Sequence, residues 1–260
     1  MHALAAGIPD LVHWVGLVLW PFLRISALFT VAPLFGSQTI PVRIRVAVAL
    51  VLAVCLAPSL PPSAAIDVLS ASGVLAVAGE LFIGLSMGFV LQLTFAGLHM
   101  AGELVATTMG LSMAQVTDPV NGAQVPVLGQ LFFMVGMLLF LAMNGHLALL
   151  AMLVDSFRAL PVGAAGLDGD ALWAILIFAG SMFAAAVKVA LPAVTALLGA
   201  NIMLGVITRS APQLNLFAFG LPITTALGLV LLLAALPGLA PAMAEALDAV
   251  LAQLAGIYLR

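Results

Sequence analysis

Charge is what this sequence has least of. Only 7% of its 260 residues are Asp, Glu, Lys or Arg, against about 25% in a soluble domain. With 65% apolar residues and a mean hydropathy of +1.31, the chain cannot cover a water-facing surface with polar groups, which excludes a soluble fold. No Lys/Arg run exists and the formal charge is −3, so nucleic acid is not an expected partner. Cys55 is the only cysteine; this excludes an intrachain disulfide and any multi-cysteine metal site, and its apolar surroundings fit packing. One Tyr beside 14 Phe suits packing in lipid or protein rather than a solvated aromatic surface. P-loop, CxxC and HExxH signatures are all missing. His2, His13, His99 and His146 are dispersed, and His146, beside a kink at Asn144-Gly145, reads as a satisfied polar contact. Neither a cofactor nor a catalytic residue is expected. No Lys or Arg precedes the first apolar run, and His2 and Asp10 stand where a signal peptide has its basic region. That run is expected to be retained as an anchor.

Apolar runs fill the space that charge vacates. Six stand out, at 11–31, 42–60, 74–105, 127–153, 171–207 and 214–236. A spanning helix needs about 20 apolar residues, and backbone groups in lipid must bond within their own segment. Ten-residue alternating strands, the mark of a membrane β-barrel, are absent. The expected fold is an all-α membrane protein of about six long helices, some kinked. Breaks fall at Pro33, Gly36 and Pro41; at Pro58, Pro61, Pro62 and Ser63; from Asp118 to Gly122, with Pro126; from Pro161 to Asp170; and at Ser210-Ala211-Pro212-Gln213. All are turn chemistry. Without a repeat or a soluble insert, residues 1–260 read as one membrane-embedded domain, with a terminal amphipathic segment over 238–260. Glu245 and Asp248 mark one side of that segment, which suits an interface or a partner. Arg43, Arg45 and Arg209 oppose Arg158 and Arg260 across the expected spans, a balance too even to orient the chain by the positive-inside rule.

Ionisable residues inside the apolar runs are the first candidate site. Arg24, Glu80, Glu103 and Lys188 would each cost about 2.5–3.5 kcal/mol at a helix centre in lipid. They read as assembly contacts, paired with one another or with another subunit; a proton or ion relay is the sharper alternative. Gly84 and Gly88 form a GxxxG pair, which suits close helix packing, with a hinge as the other reading. Residues 106–126 form a third candidate, being too weakly charged for a solvated loop and too interrupted to span. Irregular backbone at membrane depth persists when it is buried in protein or lines a cavity, and methionine adapts to irregular surfaces. An ordinary surface loop is the bland alternative.

Ordered motifs run from Leu17 to the C-terminus. They are Phe22-Leu23-Arg24, Ala32-Pro33-Leu34-Phe35-Gly36, Ile40-Pro41-Val42-Arg43 and Glu80-Leu81-Phe82-Ile83-Gly84. Gly110-Leu111-Ser112 with Asp118-Pro119, Asn144-Gly145-His146, Ser156-Phe157 and Leu160-Pro161 follow. Thr208 to Asn215 and Phe219-Gly220-Leu221-Pro222 complete the series. In this order the chain resembles the FliR family of the bacterial type III export gate, which has a related virulence-secretion branch. The resemblance implies a non-enzymatic subunit of the bacterial inner membrane and flagellar basal body. It would assemble with FliP-like and FliQ-like subunits into stacked helical hairpins, much of them above the bilayer plane, that admit unfolded export substrates. FlhB and FlhA would act alongside, and membrane lipid would cover what partners do not. It further implies that residues 106–126 plug the closed channel, with Met109, Gly110, Met113, Asp118, Pro119 and Gly122 as pore-closing residues. The competing hypothesis is a stand-alone small-solute transporter or channel, which calls for inverted repeats around a midplane site.

Overall fold

The computed structural model describes residues 2–36, 40–61, 66, 70–111, 127–163, 168–210 and 220–259, with side chains from Gly16 onward. Helix α1 spans His2–Val31. Pro33 lacks the N–H that would continue it, and the chain turns as Phe35 and Gly36 donate to Ala32 O at 3.1 and 2.6 Å. A Cβ on Gly36 would meet the carbonyls of Thr30 and Ala32 at 2.8 and 2.9 Å, so this turn requires glycine. The Phe35 ring folds back onto Phe29, their centroids 4.0 Å apart. Helix α2 follows at Val42–Leu56 and tightens into a 3-10 turn, Ala57–Ser59. Helices α3, Ala71–Thr108, and α4, Val127–Ala142, come next. Helices α5, Gly145–Ala159, α6, Gly169–Ser210, and α7, Leu221–Tyr258, complete the described residues, which include no strand.

Two differences from the sequence reading have local causes. The run at 127–153 is two helices, because Asn144 takes the left-handed conformation at φ 57°, which asparagine tolerates better than most residues. Its carbonyl then accepts from Leu147 and Ala148 at 2.9 and 3.1 Å, starting α5. The last run does not end near Leu236. Helix α7 passes through Pro237 and Pro241 to Tyr258, so the stretch marked by Glu245 and Asp248 is its C-terminal part. Helix α6 likewise passes through Pro192. Each ring removes one helical hydrogen bond, and long apolar runs on both sides, packed on neighbours, carry the helix across the gap. Four helices are long and apolar enough to cross a membrane, or five if α4 and α5 form one broken span.

The chain forms two compact units. The first comprises Met1–Leu93, Asn144–Ala179 and Asp248–Arg260; the second comprises Thr94–Met143 and Gly180–Leu247. In the first, α3 meets α1 along Gly84 and Gly88. A Cβ on Gly84 would overlap the backbone carbonyl of Arg24, and one on Gly88 would lie 2.9 Å from Leu28 O. In the second, Ala101 and Val105 of α3, with Met109 just past its end, face Ala186, Ala190, Ala193 and Leu197 of α6, with Leu128 and Phe132 of α4 and Leu232 and Leu239 of α7. The three- and four-residue spacings put each set on one helical face. Burial is uneven. Half of the apolar window of α3 is buried, but only 11% of the window containing α2, 17% of that in α6 and 22% of that in α7.

Candidate functional site

The first site is built around Arg24 in the first unit. Glu80, Gly84 and Gly88 follow one another at four-residue intervals, so they share one face of α3. The glycines bring that face against α1, and Glu80, one turn earlier, thereby meets Arg24. Arg24 Nε donates to Glu80 Oε2 at 2.7 Å and Nη2 to Oε1 at 2.9 Å, a bidentate pair. Nη1 donates to Ser156 Oγ at 2.9 Å and Nη2 to Leu160 O at 3.0 Å. Four of the five guanidinium N–H groups are thus used. The guanidinium lies 3.8 Å from the centroid of the Phe157 ring, a cation–π arrangement. Ser156 donates in turn to Leu153 O at 2.6 Å. Leu160 caps the C-terminus of α5, the negative end of its dipole, where a cation is favoured. Both charged side chains are almost fully buried. In the same unit, Ser86 donates to Phe82 O at 2.7 Å, and its oxygen lies 2.6 Å from the Tyr258 hydroxyl. Gln253 Nε2 donates to Ala174 O at 3.0 Å. Together these bonds hold the end of α7 in place.

The second site is the C-terminal end of α3, in the second unit, where the long connection begins. A helix leaves its last carbonyls without intrahelical donors. Here each one has a partner. Leu111 N donates to Ala106 O and Gly110 N to Thr107 O, both at 3.1 Å. This is a Schellman stop, with Gly110 in the required left-handed conformation at φ +81°. Asn201 Nδ2, from α6, donates to Thr108 O at 3.2 Å. Thr224 Oγ1, from the first turn of α7, lies 3.3 Å from Met109 O and shares its proton with Gly220 O and Leu221 O, each at 3.1 Å. The Met109 side chain is fully buried, and it occupies the space that a Cβ on Gly228 would take. At the other end of the connection, Leu128 and Gly129 are equally close to α3. A Cβ on Gly102 would meet Leu128 and Gly129 backbone, and one on Gly129 would lie 3.0 Å from His99.

The structure therefore distributes the residues singled out in the sequence. Arg24 and Glu80 come together. Lys188 pairs with Glu245, its Nζ 2.7 Å from both carboxylate oxygens, on an exposed surface of the second unit. Glu103 is half-buried, one turn from His99, with Oε1 3.7 Å from Nδ1. Met109 is a core residue and Gly110 a helix stop; Met113, Asp118, Pro119 and Gly122 lie outside the described residues. Sequence reasoning passed over Ser86, Asn201, Thr224, Gly228 and Tyr258, and gave Ser156 only as part of a motif. Their available signal was a polar group or a glycine inside an apolar run. Among the described residues no three His, Cys, Asp or Glu side chains gather closely enough to hold a metal ion.

These features define an all-α membrane protein whose polar groups serve helix packing and helix ends. The family model described as bacterial export proteins, family 1, matches residues 15–250. The chain belongs to this family. It is 37% identical to the flagellar biosynthetic protein FliR of Escherichia coli (strain K12), over 88% of this chain and 87% of that protein. It is 35% identical to the FliR of Bacillus subtilis (strain 168), over 82% and 83% of the two chains. With the FliR of Aquifex aeolicus (strain VF5) the identity is 35% over 86% of each.

Proposed function

We propose that the protein is a structural and gating subunit of the flagellar type III export gate in the bacterial inner membrane. With FliP-like and FliQ-like subunits it forms the entry channel for unfolded flagellar proteins, beside FlhB and FlhA, and residues 1–260 act as one export-gate domain. Its role is to assemble and to open, without chemistry of its own. The single observation that carries this reading is similarity to FliR proteins over more than four-fifths of both chains. The apolar surface left open on α2, α6 and α7 supports it. Val42, Val51, Leu176, Ile202, Val206 and Leu233 are each about 60% exposed or more, as suits helices covered by other subunits or by lipid.

The stretch 106–126, of which the structure describes 106–111 as the end of α3 and its stop, carries the closing element of the resting channel. Its residues Met113, Asp118, Pro119 and Gly122 form a weakly charged, interrupted stretch that blocks ions by excluding water from the constriction. Glu103 and Lys188 act as polar contacts of assembly, while the buried Arg24–Glu80 pair and the close-packing points Gly84 and Gly88 hold together the helices that assembly uses. A clean deletion of the gene tests the function directly. Motility and extracellular flagellin should both be lost and return on complementation; normal flagellin export in the deletion strain would refute the reading. Expressed without partners, the chain should aggregate in detergent. A monodisperse, thermally stable monomer would instead favour a transporter that works alone.

A further inference from the structure

We infer that the groove between α6 and α7 in the second unit holds one phospholipid whose headgroup carries both a phosphate and a primary ammonium, with Lys188 and Glu245 as its headgroup site. The groove has a volume of about 460 Å³, within the range of small-molecule sites. Phe132, Val189 and Leu239 make its walls apolar. On α7 the lining recurs at Ala234, Gly238, Ala242 and Glu245, one helical face about 16 Å long at 1.5 Å per residue. An extended hydrocarbon chain can follow such a trough, and the Lys188–Glu245 pair stands at one end of it. Position along the helix says what reaches that pair. Helix α6 has 42 residues, about 63 Å at 1.5 Å per residue, twice the hydrocarbon thickness of a bilayer. Lys188 divides it into two uncharged runs, 171–187 and 189–208, which Asp170 and Arg209 close at their far ends. Each run matches one bilayer. Immersing either puts Lys188 at the boundary, level with phospholipid headgroups. Glu245 likewise closes the uncharged run 221–244 of α7. Centring α6 in the bilayer would instead leave an open ion pair in hydrocarbon, the costliest place for it.

The chemistry of the site selects the headgroup. The pair is neutral overall, so it draws neither an anion nor a cation alone, and its two charges complement a zwitterion. Two N–H groups of Lys188 go to the Glu245 oxygens, which leaves a third for a phosphate oxygen. Glu245 keeps free lone pairs on both oxygens. Pro192 and Pro241 line the same groove, and having no N–H they remove the regular helical donors of the Lys188 and Pro237 carbonyls. The site thus has acceptors to spare, and a primary ammonium brings three N–H donors to them. A choline headgroup has no N–H to give, and a glycerol headgroup has no cation. Phosphatidylethanolamine meets both needs.

This deepens the assembly role proposed for Lys188, which becomes a contact made through bound lipid. The test takes the whole complex in detergent and counts bound lipid by native mass spectrometry during titration with phosphatidylethanolamine, phosphatidylglycerol or phosphatidylcholine. One phosphatidylethanolamine per copy of this chain should bind about tenfold more tightly than either of the others, the effect of one hydrogen bond to a charged group. Gly238→Phe fills the groove from a position with open space around it and should abolish that binding. Lys188→Glu combined with Glu245→Lys keeps an ion pair but reverses the match to the headgroup. It should assemble and melt like the parent while losing the preference. Should Gly238→Phe fail to assemble, the reversed pair decides the matter. Equal binding of the three lipids, or a preference that survives the reversed pair, overturns the site. So does a lipid count unchanged in Gly238→Phe; a simultaneous loss of partner subunits would then assign the groove to a partner's segment. Lys188→Met separates the two readings. Lost lipid with a normal yield of complex ends the assembly role and leaves the lipid site; reduced yield with unchanged lipid does the reverse.

Discussion

Two ion pairs in this protein have nearly the same sequence separation and the same 2.7 Å contact, yet they do different work. Arg24–Glu80 joins helices 56 residues apart in the chain, and Lys188–Glu245 joins residues 57 apart. The side chains of the first are 0% and 2% exposed; those of the second are 68% and 69% exposed. A buried pair is held because removing one partner leaves a bare charge without solvent. An exposed pair takes its energy from whatever covers it, and in water it is worth little. The first is thus part of the chain's own fold. The second is a surface feature whose value depends on what covers it. Charge in an apolar run consequently has no single meaning, and the packing around it decides which meaning applies.

Removing one half of the buried pair should have the largest effect. Arg24→Leu leaves Glu80 without its bidentate partner and should cost about 3–5 kcal/mol. Thermal melting of the purified complex and the yield of folded chain both report it. The double variant Arg24→Leu with Glu80→Leu should recover much of the loss; a double variant as poor as the single one would show that the pair is not the source of the effect. Next comes Gly84→Val. Its side chain would strike the α1 backbone at Arg24, and overpacking of this kind costs about 1–3 kcal/mol. Gly79→Ala, on the same helix with open space around it, is the control and should melt like the parent.

Tyr258→Phe should be milder, about 1 kcal/mol. Ser86 keeps its bonds to Phe82 and Ile83 carbonyls, so only one contact is lost. A melting temperature unchanged from the parent would remove this bond from the account of how α7 is held. Lys188→Met should have the smallest effect on the chain by itself, within about 1 kcal/mol. A larger loss that appears only on co-purification with partners would sharpen the contrast between the two pairs. A large loss of membrane-inserted chain when it is expressed without partners would erase it.

Much of the first site was legible in part. Arg24 and Glu80 stand out as charges in apolar runs, and Glu80, Gly84 and Gly88 share a visible four-residue period. Their meeting with Ser156, Phe157 and Leu160 was not legible, because that contact spans more than 130 residues and depends on where α5 ends. The end of α3 shows a different limit. Met109 and Gly110 stand among the pore-closing residues that the resemblance implies. In the structure, glycine's left-handed freedom stops a helix, and methionine's flexibility fills a notch at Gly228. The same side-chain property suits either use, and only the neighbours distinguish them.

By itself the sequence determined the membrane class, the helical architecture and most of the breaks. Those follow from composition, run length and local turn chemistry, which act over a few residues. The tertiary structure alone decided that Pro192, Pro237 and Pro241 do not end their helices, whereas the break at Asn144 completes a kink already read at Asn144-Gly145. It alone decided which charge is buried, which is open, and which side chains complete the carbonyls at the end of α3. A helical period fixes the face a residue occupies, but the neighbour across that face is chosen by packing between segments far apart in the chain.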